Sequence, residues 1–205
     1  MQKLYYLTEI PPALTLDAGS FLIDALRLEG QASLDFGSIR VKPIIEAADH
    51  PSSMAMLGAA MAIQPDTIVV RGVSGTPDLQ QISSRLAVEE AERGWDDGSI
   101  KMFAVMGDTA ASIRALTLNW PNLPRLSGLI FSDQRLLALR TGDFTAQRAG
   151  LPEPIRLARS LTIARGQELG LPTYAWIAAD GNTTNAIGQA EHDGFTGAII
   201  TLPIA

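Results

Sequence analysis

Residues 100–106 constrain the fold more than any other stretch of the chain. Ile100, Met102, Phe103, Ala104, Val105 and Met106 form a nearly continuous apolar run. Such a run suits a strand covered on both faces, as in a parallel sheet. It stops at Gly107-Asp108-Thr109, and a helical pattern of Ala110, Ile113 and Leu116 begins at once. Asp108 therefore stands where a strand ends and a helix starts. In parallel α/β folds that edge is where ligands and metals bind. Two readings of Asp108 stand side by side: a ligand-facing carboxylate, or a cap in which its carboxylate or the Thr109 hydroxyl holds free helix N–H groups.

The same alternation runs through the chain. Apolar runs at residues 4–7, 21–26, 39–45, 67–73, 100–106, 127–132, 172–178 and 197–202 read as eight strands. Helical patterns at residues 52–63, 76–93, 110–118, 133–139, 155–170 and 184–192 lie between the later ones. Thr76 reads as an N-cap with Pro77 at the first helical position. Met54, Leu57 and Met61 read as a core stripe, and Glu89, Glu90, Glu92 and Arg93 as a solvated helix face. Eight strands alternating with helices predict a single α/β domain over all 205 residues, a TIM-type (β/α)8 barrel. About a dozen residues separate strands one and two, and again two and three, which is the minimum for a crossover with a helix. The sequence also stops right after the eighth strand. The expectation is a reduced or partly open barrel, short in its first two βα units and lacking the closing helix.

A net charge of −6 with no basic run argues against nucleic acid or an anionic membrane surface as partner. No apolar stretch approaches the roughly 18 residues of a membrane span. The absence of cysteine excludes disulfides and thiolate metal sites and fits a cytoplasmic protein, and the N-terminus lacks a signal-peptide layout. With His50 and His192 as its only histidines, a zinc centre is not expected. No nucleophile elbow, Walker loop or dinucleotide fingerprint is present.

Polar residues at or near strand ends remain: Arg40, Arg71, Asp108, Asp133, Arg135 and Asp180. In a parallel barrel the C-terminal strand ends converge on one mouth. Arginines and acids there suit a small anionic substrate held by guanidinium groups, with a carboxylate-bound hard cation such as Mg²⁺. The same residues also read as helix caps and surface ion pairs.

The order of these pieces from about Ile39 onward resembles the citrate lyase beta-subunit and malyl-CoA lyase group of the HpcH/HpaI aldolase class. Ile39-Arg-Val-Lys-Pro43 resembles the family's Val-Arg-Ile-Asn-Pro. Pro65-Asp-Thr-Ile-Val-Val70 resembles Pro-Asp-Gly-Ile-Val-Leu, and Val105-Met-Gly-Asp-Thr-Ala110 resembles Leu-Ile-Glu-Thr-Ala. Ile155-Arg-Leu-Ala-Arg-Ser160 resembles the Tyr-Ala-Arg-Ser helix, and Gly194-Phe-Thr-Gly197 the Gly-Phe-Asp-Gly before the last strand.

The resemblance implies a metal-dependent carbon–carbon lyase acting on a hydroxy acyl thioester, coenzyme A esters included, or an oxo acid. It implies Asp108 at the metal-binding glutamate and Arg40 on a substrate carboxylate or carbonyl. Arg71 and Arg135 are further candidates for the substrate anion.

The departures bear on the metal. The family's Phe-Gly-Ala-Glu-Asp-Leu reads Phe131-Ser-Asp-Gln-Arg-Leu136, which puts Arg135 where the second ligand belongs and leaves Asp133 as substitute. Asp24 is the one acid kept after strand two, and Gly72, next to Arg71, stands where a lysine is usual. Residues 197–203 lack the family's lysine and histidine. The expectation is a weak or absent Mg²⁺ site in the unliganded protein, with Arg135 in ion-pair range of Asp108. A catalytically degenerate family member, acting as a binding or accessory subunit, is the alternative.

A bare barrel wall predicts a homo-oligomer. Burial is worth about 25 cal/mol per Å², so a few hundred Å² of exposed apolar wall around Phe21, Leu22, Ile23, Ile199 and Ile200 would cost several kcal/mol. Light scattering at micromolar concentration should show an oligomer; a monodisperse monomer would contradict this.

Overall fold

The computed structural model describes residues 2–7, 20–25, 40–47, 50, 52–134, 153–177 and 183–202. Eight strands fall within them: β1 (Gln2–Leu7), β2 (Ser20–Asp24), β3 (Arg40–Glu46), β4 (Thr67–Arg71), β5 (Lys101–Met106), β6 (Leu126–Phe131), β7 (Thr173–Ile177) and β8 (Gly197–Leu202). The described helices are α1 (Ser53–Met61), α2 (Thr76–Arg93), α3 (Ala110–Ala115), α4 (Glu153–Leu169) and α5 (Thr183–Asp193). The strands pair in sequence order, all parallel, and the sheet closes on itself.

The TIM-type barrel is present, but it is not partly open. β1 joins β8 along six residues, from Gln2 opposite Gly197 to Leu7 opposite Leu202. Closure depends on strand-to-strand hydrogen bonds, which need no outer helix. The crossovers read as reduced lie largely outside the described residues, as do residues 203–205 and most of the helix expected at 133–139.

Alternation along the strands sorts the core into two layers. Leu4, Leu22, Ile44, Val69, Val105, Ile130 and Ile199 fill the lumen with Phe103, Tyr174 and Trp176. Gly128 on β6 makes room for the Phe103 ring, whose carbon lies 2.9 Å from where a β-carbon would stand. On the outer face Ile45, Ile68, Val70, Met102 and Ala104 pack against Met56, Leu57 and Met61 of α1 and Leu79, Ile82 and Leu86 of α2. Leu57 and Met61 are core as expected, whereas Met54 is 55% exposed.

Two local expectations are corrected. Gly75, not Thr76, is the N-cap of α2, and Pro77 follows within the first turn. The cap contributes no side-chain hydrogen bond; instead the Asp78 carboxylate accepts from the Ser74 N–H at 2.6 Å and its hydroxyl at 2.7 Å. Glu90 is not part of a solvated face but fully buried. It accepts two bonds from the Arg125 guanidinium, at 2.8 and 2.7 Å, and others from the N–H groups of Ile100 and Gly98 and the Ser99 hydroxyl. These bonds tie the end of α2 to the start of β5 and β6.

Burial pushes the Glu90 carboxyl up, but Arg125 and the two backbone N–H groups outweigh it and hold the pKa at about 2. The folded value lies below the unfolded one. The pair's stabilisation is therefore present above the ordinary glutamate pKa and lost as pH falls from about 4.5 toward 2. Urea unfolding should show about 3 kcal/mol less stability across that window, and Glu90→Gln should flatten most of the slope. An unchanged slope in the variant would show that Glu90 does not carry it.

Candidate functional site

The mouth is assembled at the C-terminal ends of the strands. After β5 the chain turns at Gly107, whose φ of 87° suits glycine. A β-carbon there would lie 2.8 Å from both the Phe131 ring and the Ser132 carbonyl oxygen. Thr109 then caps α3 in a capping box: its hydroxyl accepts from the Ser112 N–H at 3.0 Å, and the Ser112 hydroxyl accepts from the Thr109 N–H at 3.1 Å. The cap reading thus belongs to Thr109. The Asp108 carboxylate is turned to another use.

Asp108 is fully buried. Its Oδ2 faces the Nε of Arg71 from the end of β4 at 3.4 Å, long for a charged pair. Arg71 lies over the indole of Trp176 from β7, 5.2 Å from the ring centroid. Trp176 donates from Nε1 to the Thr201 hydroxyl on β8 at 3.2 Å and meets the Tyr6 ring of β1 edge-on at 5.0 Å. Strand alternation puts Asp24 on the lumen side with Leu22, and Glu46 with Ile44. Glu46 stands opposite Arg71 in the β3–β4 ladder.

Asp133 follows β6 by two residues. Burial pushes its carboxyl above the ordinary carboxylate range. The negative charge of Asp108 adds to the rise; its own backbone N–H and Arg159 oppose it. Arg159 is engaged by Asp193 at 2.7 and 2.9 Å and lies over the Phe195 ring at 4.8 Å.

The structure therefore brings Arg71, Asp108 and Asp133 together. The Arg40 side chain lies outside the described residues, and only its backbone is placed. Arg40 is the first residue of β3, opposite Ser20 at the start of β2. Glu46, at the mouth, is six residues further on, about 20 Å at the rise of a strand. Arg135 and Asp180 lie outside the described residues; the cation that the structure does place at Asp108 is Arg71.

Trp176, Tyr6, Glu46 and Thr201 were not read as site residues. Their signal was present in the alternation of each strand, which puts the last inward position at the mouth.

Among the described residues no group of three His, Cys, Asp or Glu side chains forms a metal cluster. The donors at the mouth nevertheless fit a hard cation in kind: all are oxygens, and Asp133 senses the charge of Asp108. Two carboxylates meet the usual minimum for Mg²⁺ completed by water and substrate oxygens. Arg71 already sets one positive charge against Asp108.

No protein-family model matches this sequence, and no curated protein matches it. Solved structures do. RipC from Yersinia pestis aligns over 98% of this chain and 90% of its own, at 16% identity and a TM-score of 0.69. CitE from Mycobacterium tuberculosis, solved with magnesium and acetate, aligns over 98% and 86%, at 12% identity and a TM-score of 0.73. Haloferax volcanii malate synthase, solved with magnesium and glyoxylate, aligns over 96% and 70%, at 15% identity and a TM-score of 0.70. The fold is that of the citrate lyase barrels. At these identities the likeness is one of fold, and it returns the group of proteins that the sequence motifs resemble.

If Arg71 competes with a cation for Asp108, Arg71→Gln should tighten Mg²⁺ binding by on the order of tenfold in titration calorimetry. Equal affinity in both forms would show that Arg71 does not compete.

Proposed function

We propose that this chain is a carbon–carbon lyase of the HpcH/HpaI aldolase class, cleaving or forming a small oxo acid or hydroxy acyl thioester by an aldol or Claisen step. The observation that carries the proposal is the meeting of Arg71, Asp108 and Asp133 from three consecutive strands at one barrel mouth. The fold neighbours support it: the malate synthase was solved with magnesium and glyoxylate, and the CitE protein with magnesium and acetate. Both pair a hard cation with a small carboxylate.

Arg71 binds the substrate anion, its guanidinium kept planar to the ligand by the Trp176 ring. Asp108 and Asp133 would hold Mg²⁺, which when bound supplies a Lewis acid for a carbonyl oxygen. Burial and the charge of Asp108 push the Asp133 carboxyl up, and a cation held between the two would favour its charged form. Trp176, Tyr6 and the lumen side chains below them exclude water from the reacting carbons. The Mg²⁺ site of the unliganded protein is weak, because Arg71 occupies the field of Asp108. Coenzyme A thioesters are the substrates to test first, and the working unit is a homo-oligomer in the cytoplasm.

The Arg71–Asp108 pair also favours a second reading, a degenerate barrel in which the two residues bind an anion without metal or turnover. Coupled assays with citramalyl-, malyl- and citryl-thioesters plus Mg²⁺ separate the two. The lyase reading expects turnover of at least one, reduced at least a thousandfold by Asp108→Ala, since loss of a transition-state electrostatic group costs that order. No turnover of any thioester, with anion binding retained, would leave the accessory reading.

A further inference from the structure

Ser132 directly follows β6, and its N–H continues the ladder to the Met106 carbonyl at 2.8 Å. Along β6 the inward positions are Gly128, against the Phe103 ring, and Ile130, in the lumen cluster. Leu129 and Phe131 pack outward. The next inward position is Ser132. Its side chain is fully buried, and its Oγ has no hydrogen-bond partner among the described residues. Native proteins leave few buried hydroxyls in that state, because an unmade bond costs more than a made one gains.

The position explains the state. Ser132 precedes Asp133 in the chain, and its carbonyl lies against Gly107, the residue before Asp108. Ionised carboxylates only accept hydrogen bonds, so an anionic ligand at this mouth depends on donors from elsewhere. Arg71 supplies charged donors from the β4 side. Ser132 supplies a neutral one from the β6 side. The motif that residues 131–136 resemble carries glycine at this place.

We propose that Ser132 is a substrate-binding residue whose Oγ–H donates to a carboxylate or carbonyl oxygen of a small 2-oxo acid anchored by Arg71. The inference rests on the mouth being the site proposed above. It assigns the hydroxyl a partner that only the bound state provides.

The test is titration calorimetry of oxaloacetate, pyruvate and glyoxylate, each with Mg²⁺, on the wild type and on Ser132→Ala and Ser132→Gly. Both variants should bind about tenfold more weakly, the loss of one hydrogen bond to a charged acceptor. Ser132→Ala should melt at the same temperature as the wild type or higher, because it removes a buried hydroxyl with no partner in the protein. A structural role would do the reverse, lowering the melting temperature and sparing affinity, and would overturn the inference. Binding undiminished in both variants would overturn it and leave the lyase reading in place. Failure of the wild type to bind any of the three acids would overturn the inference and leave the lyase reading to the thioester assays.

Discussion

The hydrogen bonds that join β1 to β8 are the constraint on which the rest of the structure depends. The groups at the mouth come from strands around the whole barrel: Tyr6 from β1, Arg71 from β4, Asp108 after β5, Ser132 and Asp133 after β6, Trp176 from β7 and Thr201 from β8. In an open sheet the first and last of these would stand at opposite edges. Closure along the six-residue β1–β8 register instead lets Tyr6 meet Trp176 at 5.0 Å and Trp176 reach Thr201 on the neighbouring strand. The Trp176 ring in turn supports Arg71 across the lumen, and Arg71 reaches Asp108. The chain of contacts from β1 to β5 exists only in the closed form.

Much of the fold was legible because parallel strands buried on both faces leave a nearly unbroken apolar signature, as β4, β5, β6 and β7 do. What misled was the inference from crossover length and the end of the sequence to an open barrel. Those features concern the outer layer, and strand pairing proceeds without it. Glu90 misled for a related reason. Helical periodicity beside Glu89, Glu92 and Arg93 places it on a charged stretch, but its partner Arg125 lies 35 residues away and is invisible to a local pattern.

The site was legible in part. Asp108 and Arg71 stood out because both charges end apolar strands. A motif resemblance carries no register, so it does not say at which end of the barrel the backbone of Arg40 stands. The same five residues slid along a strand move the arginine from one end of the barrel to the other, and the ladder with Ser20 decides which end. Trp176 and Ser132 passed unnoticed since an aromatic or a serine at a strand end has no distinctive chemistry until its neighbours across the sheet are known.

The two ends of the barrel treat polar groups in opposite ways. At the N-terminal end every buried charge among the described residues is satisfied within the protein. Glu90 takes bonds from Arg125 and two backbone N–H groups, Lys42 meets Asp66 at 2.8 Å, and Arg165 donates to the carbonyls of Leu116 and Leu118 that close α3. Such groups contribute to stability and have nothing left to offer a ligand. At the C-terminal end the Arg71–Asp108 pair is long, the Asp133 carboxyl is raised by burial, and the Ser132 hydroxyl has no partner among the described residues. The raised carboxyl and the Ser132 hydroxyl leave hydrogen-bonding capacity at the mouth that the other end lacks. The Ser132 hydroxyl therefore keeps its donor for a ligand, and an anion held by Arg71 is the group that would accept from it.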